Sequence, residues 1–324
     1  MSQTQSTTKI TPAAHEPANA VQPTPTLANV AYGSHERQVL DYWRADTSAP
    51  APTLLYIHGG GWVGGSKVNV DLPQGVQGLL DAGISVVSIN YRYLEQTIID
   101  SEEDRPAPPS PETVASTEPP VLAPLSDAAR ALQFVRSHSE DWNIDKRRIA
   151  VSGGSAGACS SLWLAFNRDL ADSTSPDPIA RESTRPWCAA VRDAQTTLDP
   201  QQMREWTPNS QYGGHAFGFA WNTSEPLAEF ADFIAHRETV LPWIERYSPY
   251  ALASRNAPPV YLYYSASAPA YGEVMKDPTH TANFGALLAE KLAVVGAEYE
   301  LVYPDTPNVV HGDIHDYLVD MLKR

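Results

Sequence analysis

The stretch Gly153-Gly154-Ser155-Ala156-Gly157 constrains this chain more than any other. A β-branched, apolar run, Arg148-Ile149-Ala150-Val151-Ser152, leads into it. A small-residue helical pattern, Ala158 to Phe166, leads out. A G-x-S-x-G serine exposed on a tight strand-to-helix turn needs this context. The glycines act sterically, since only residues without Cβ let strand and helix approach closely around a strained serine. The helix that follows aims its N-terminal amides at any negative charge developing there.

A second motif lies about a hundred residues upstream. Thr53-Leu54-Leu55-Tyr56-Ile57 reads as a buried strand ending in His58-Gly59-Gly60-Gly61-Trp62. Three glycines after a strand let the backbone turn sharply with its N–H groups facing a cavity, as in the H-G-G-G type of oxyanion loop. In this order and separation the two motifs resemble the α/β-hydrolase superfamily, in its carboxylesterase and hormone-sensitive-lipase-like branch. The resemblance runs from about Leu27 to the end of the chain. It implies a mostly parallel central sheet with helices on both faces and an inserted helical cap.

Composition narrows the function classes. A formal charge of −15 argues against nucleic acid, whose phosphates need a basic face, and against an anionic membrane surface. Neutral or cationic small molecules suit that field better. There is no run of eighteen apolar residues, so no membrane span is expected. Cys159 and Cys188 read as two buried, reduced thiols. No His/Cys cluster has metal-ligand spacing, and no cofactor is expected. Residues 1–26, rich in Ser, Thr, Gln and Pro without the apolar core of a signal peptide, read as a disordered tail, which makes the cytoplasm the expected compartment.

Residues 27–324 read as the hydrolase domain. Leu27–Gly33 and Gln38–Arg44 alternate like an antiparallel edge hairpin. Helix and strand patterns then alternate, with near-continuous apolar strands, which predicts a parallel sheet covered on both faces. The acidic, proline-rich segment 100–124 reads as a surface excursion that forms no packed element. Ser126-Asp127 reads as the cap of a helix over Ala128–Ser139. Residues 199–255, crowded with aromatics and poor in strand signal, read as the cap. Trp62, Phe217 and Trp221 are the candidate substrate-pocket residues, the first from the glycine loop and the other two from the cap.

A serine hydroxyl needs a base to become a nucleophile. The resemblance implies partners in the order serine, acid, histidine, from loops after later strands. The histidines beyond Val260 are His280, His311 and His315. His311-Gly312 follows the last strand pattern, where the family's histidine sits; His315 is the reserve, and one of the two is expected beside Ser155. His280 reads as a structural histidine next to the acid, and His58 as a residue that holds the glycine loop. For the acid, Asp277 matches the family's spacing to Gly296, and Glu273 is the alternative. Ala156, Gly60 and Gly61 would receive the oxyanion, with the Trp62 N–H as a substitute. The implied function is a serine carboxylesterase acting on small uncharged esters through an acyl-enzyme. An amide hydrolase, such as an arylformamidase or peptidase, and a non-catalytic binding protein remain alternatives, and a homo-oligomer is left open.

Overall fold

The computed structural model describes residues 22–94, 107–219 and 226–324. At its centre β3 (Ala51–Ile57) and β5 (Ile144–Gly154) run parallel, Ile57 opposite Gly153. Every residue of β3 is buried, as its unbroken apolar run requires of a strand covered on both faces. On one side β4 (Ser85–Ile89) pairs parallel with β3; β2 (Val39–Trp43) and β1 (Leu27–Ala31) follow antiparallel. On the other side β6 (Ala189–Arg192), β7 (Val260–Tyr263) and β8 (Tyr299–Val302) extend the sheet in parallel. The strand order is β1-β2-β4-β3-β5-β6-β7-β8. The chain steps from β3 outward to β4, then back across to β5. That reversal opens a crevice at the carboxyl ends of β3 and β5, where open α/β sheets bind ligands.

The helices cover both faces. α1 (Gly75–Asp81) and α10 (Ile314–Lys323) pack together on one; α3 (Leu122–Ser137) and α4 (Ala156–Phe166) pack on the other. α9 (Asn283–Val295) ends at Gly296, whose φ of 75° makes it the left-handed stop that its position suggests. Among the described residues no helix is long and apolar enough to cross a membrane.

Three expectations are corrected here. The proline-rich segment does carry a packed element, α2 (Pro111–Ser116), capped by Ser110 and burying Val114. Pro111 occupies the first helical position, where a missing N–H costs nothing. Glu118 then ties this segment to Arg246 and Tyr247, at 2.9 and 2.5 Å. Second, α3 begins six residues early, at Leu122, so Asp127 lies inside the helix and caps nothing. Its buried carboxylate instead receives Gln38 and the guanidinium and backbone N–H of Arg92. Third, the end of the expected disordered tail is docked: Gln22 bonds Val70 and Val76, and Pro23 O accepts the Trp43 indole.

Between β6 and β7 the chain forms α5 (Pro200–Trp206), a 3-10 turn (Gly214–Phe217), α6 (Pro226–Ala235), α7 (Arg237–Tyr247) and α8 (Pro249–Leu252). Phe217, Phe230, Phe233 and Trp243 pack on one another inside this helical insertion, with Phe217 and Phe233 centroids 5.8 Å apart.

Candidate active site

Ser155 stands between β5 and α4 with φ 53° and ψ −122°, a strained conformation for a residue with a side chain. The neighbouring glycines make the turn feasible. A Cβ on Gly157 would lie 2.0 Å from the Ile57 carbonyl oxygen, and one on Gly153 would lie 2.3 Å from the same atom. A Cβ on Gly59 would meet Gly154 O at 2.8 Å, so the glycine loop after β3 lies directly against the serine turn.

The Ser155 hydroxyl lies 3.0 Å from Nε2 of His280. Nδ1 of the same ring lies 2.8 Å from Oδ2 of Asp277. A carboxylate only accepts, so Nδ1 carries the hydrogen and Nε2 is left to take the serine proton. Oδ1 of Asp277 accepts the backbone N–H groups of Thr279 and His280. Burial pushes the Asp277 carboxyl upward, but His280 and these two N–H groups outweigh it and hold it below the usual carboxylate range.

The expectation that His311 or His315 would meet Ser155 is overturned. The His311 ring faces Glu300 at 2.7 Å through Nδ1 and Asp320 at 3.3 Å through Nε2. It lines a separate cavity of about 200 Å³ with Glu298, Tyr317 and Arg324. The loop after β8 doubles back, and Oε1 of Glu300 receives the N–H groups of Val310 and His311, so the ring stays beside its own strand. His315 lies half-buried on α10, its Cε1 toward Gly78 of α1. The imidazole beside the serine comes instead from His280, which the sequence suggested only as a structural residue. Asp277 therefore pairs with His280, while Glu273 is exposed.

In the glycine loop successive carbonyls are tied down. Gly59 O accepts from Nδ1 of His58 and from the Tyr91 hydroxyl, at 2.7 and 3.3 Å. Gly60 O accepts from Val63 and Gly64 N–H, both at 3.0 Å. The N–H groups of Gly60, Gly61, Trp62 and Ala156 have no acceptor among the described residues. Burial lowers the His58 ring to about 4, against a smaller opposing effect of its bond to Gly59 O. The ring is thus neutral, and it makes no bond to Ser155.

Ser155, His280, Asp277, His58, Gly59 and Gly60 line a cavity of about 580 Å³. Part of its lining is polar: Arg192 bridges Asp71 at 2.6 Å and Asp193 at 3.0 Å, and Asn69 and Ser265 line the same cavity. Two of the expected apolar pocket residues lie elsewhere. Trp62 is fully buried behind the loop, its indole N–H donating to Ser160 at 2.9 Å. Phe217 is fully buried within the insertion's aromatic cluster. Trp221 lies outside the described residues. Arg192 ends strand β6 and Asp193 follows it, and their place at a carboxyl-terminal strand end was the signal available for them.

The BD-FAE family model matches residues 40–104 and 110–268. Carboxylesterase NlhH of Mycobacterium tuberculosis is 25% identical over 279 residues, covering 86% of this chain and 71% of that protein. The probable carboxylic ester hydrolase LipM of the same organism is 31% identical over 142 residues, covering 43% of this chain but only 28% of LipM. Two solved structures share the fold. A truncated carbohydrate esterase from gut microbiota has a TM-score of 0.62 at 18% identity, over 95% of this chain and 99% of that one. The acetyl ester-xyloside bifunctional hydrolase of Caldicellulosiruptor lactoaceticus has a TM-score of 0.55 at 22% identity, over 82% of this chain and 76% of that one. The chain belongs to the BD-FAE family and is a carboxylic ester hydrolase of the α/β-hydrolase fold, in the carboxylesterase and hormone-sensitive-lipase-like branch.

Proposed function

We propose that this hydrolase works through Ser155, with His280 as general base and Asp277 as the acid that orients it. The observation that carries the proposal is the continuous chain of hydrogen bonds from Ser155 Oγ through both nitrogens of one imidazole to a carboxylate, at 3.0 and 2.8 Å. His280 takes the hydroxyl proton as Oγ attacks the ester carbonyl, and Asp277 stabilises the imidazolium that forms. The tetrahedral oxyanion is received by the N–H of Ala156 together with those of the glycine loop, Gly60 and Gly61. His280 then gives its proton to the leaving alcohol. Water, activated by the same imidazole, releases the acid from the acyl-enzyme.

The substrates are small, uncharged esters with a polar alcohol or acyl portion. The acidic balance of the chain and the three carboxylates around the cavity, Asp71, Asp193 and Asp277, against one guanidinium, repel anions. The hydrogen-bonding groups of Arg192, Asp71, Asn69 and Ser265 in the cavity favour polar groups over long alkyl chains. Turnover of p-nitrophenyl acetate by the wild type and by Ser155→Ala tests the reading. A loss of at least about a thousandfold is expected, with loss of labelling by a fluorophosphonate probe. Retained turnover in the variant overturns it.

A further inference from the structure

The glycine loop is held not only by its own strand but also from the helical insertion between β6 and β7. His215, in the 3-10 turn Gly214–Phe217, places Nε2 3.2 Å from the carbonyl oxygen of Gly61, a residue 154 positions away in the chain. A carbonyl only accepts, so Nε2 carries the hydrogen. The ring is almost fully buried, and burial lowers its pKa to about 4, so it is a neutral donor at ordinary pH. Its plane is set by the edge contact with Tyr212, centroids 4.8 Å apart, and by Trp62 at 6.1 Å. Its backbone N–H is fixed on Glu229 at 3.1 Å.

A trans peptide points its N–H opposite to its C=O. Anchoring the Gly61 carbonyl toward the insertion therefore turns the Trp62 N–H the other way. Gly59 O and Gly60 O are anchored by His58, Tyr91 and the following turn, which orients the Gly60 and Gly61 N–H groups in the same manner. The Gly61–Trp62 peptide is the member of this series held from the helical insertion. Gly61 and Trp62 have φ of 60° and 61°, and for Trp62 that conformation persists only where surroundings impose it.

We infer that His215 is a positioning residue for the oxyanion-binding loop, its Nε2–H fixing the Gly61–Trp62 peptide plane so that the loop's donors are set before substrate arrives. This rests on the Ser155 reading, because a preset donor matters only where an oxyanion forms. The ring does not touch the reacting atoms. Its effect belongs to the transition state, not to ground-state binding.

The experiment compares His215→Phe, which keeps a ring but loses the donor, with His215→Gln, which restores an N–H of similar reach. With p-nitrophenyl acetate, His215→Phe is expected to lower kcat at least tenfold with KM within twofold. Inhibition by a trifluoromethyl ketone, which forms the tetrahedral adduct, weakens by a similar factor, and His215→Gln recovers most of both. Active sites are counted by stoichiometric fluorophosphonate labelling, so lost folded protein is not read as lost rate. Where His215→Phe does not fold, His215→Met is judged by the same criteria. A donor-less variant with kcat within twofold of wild type, or a loss that His215→Gln does not relieve, overturns the inference. Failure of the Ser155 reading shows separately, as turnover that survives Ser155→Ala.

Discussion

Asp277 and His280 sit three residues apart in one loop, joined side chain to side chain at 2.8 Å, with both backbone N–H groups of Thr279 and His280 turned onto the same carboxylate. A carboxylate that bonds its own following turn is a familiar local geometry. Here that turn also orients an imidazole whose other nitrogen reaches Ser155. Carboxylate and imidazole thus arrive as one preassembled unit on the loop between β7 and α9, and the loop after β8 is left to other contacts.

The two histidines should separate cleanly on substitution. His280→Ala is expected to lower kcat by at least about a thousandfold, and Asp277→Asn by about 10²–10⁴. His311→Ala should leave kcat within about twofold and lower stability by about 1–2 kcal/mol, through lost bonds to Glu300 and Asp320. Steady-state kinetics with urea unfolding measures both. Loss of turnover in His311→Ala together with normal turnover in His280→Ala would reverse the assignment.

Gln195 governs where the loop's active end rests. Its buried amide nitrogen donates to Thr279 O at 2.8 Å and to Asp193 O at 3.2 Å, while its Oε1 has no partner among the described residues. Gln195→Leu removes two bonds and one unsatisfied oxygen, so the stability change should stay within about 1 kcal/mol. The loop that carries His280 loses its tether, and kcat should fall by about tenfold with KM little changed. Unchanged kcat in a folded variant would contradict this.

Acid should weaken the fold well above the carboxylate range. Burial holds the His58 and His215 rings near 4, below the ordinary histidine value of about 6.5. The unfolded chain therefore binds protons that the native protein refuses. Stability from these two groups is complete above about pH 6.5, declines as pH falls, and levels off below about 4, with a slope approaching about 2.7 kcal/mol per pH unit. Urea unfolding from pH 7 to 4.5 measures this. His215→Gln should reduce the slope by about one proton, and an unchanged slope would show that His215 does not titrate this way.

Asp127 should be a stability residue with no kinetic role. Its carboxylate lies buried in α3 and receives four donors, the Gln38 amide and the backbone N–H, Nε and Nη2 of Arg92. Asp127→Ala leaves those donors facing a void and is expected to cost about 3 kcal/mol or more, while kcat in the surviving folded fraction is unchanged. Calorimetry combined with active-site titration distinguishes the two effects.

What could be read along the chain was whatever has a local cause. Ser155 turns at a φ of 53° between glycines that are its own neighbours in the chain, so the serine turn, its strand and its helix were legible as one unit. The glycine run after β3 and the stop at Gly296 were legible for the same steric reason. Asp127 misled, because an aspartate before a helical pattern looks like a cap until Arg92 is seen beside it. The choice of imidazole for Ser155 was made by the folded chain. His280 and His311 both follow strands of the same sheet, and both have a carboxylate within reach. What separates them is how two loops fold back, one pinned over the serine by Gln195 and Asn209, the other drawn down onto Glu300. The polar lining of the cavity is likewise assembled by folding, from Arg192 and Asp193 at the end of β6 and Asp71, 121 residues from Arg192. Steric demands act between neighbours in sequence and can be read there; hydrogen-bond partners brought together by loop closure exist only once the chain has folded.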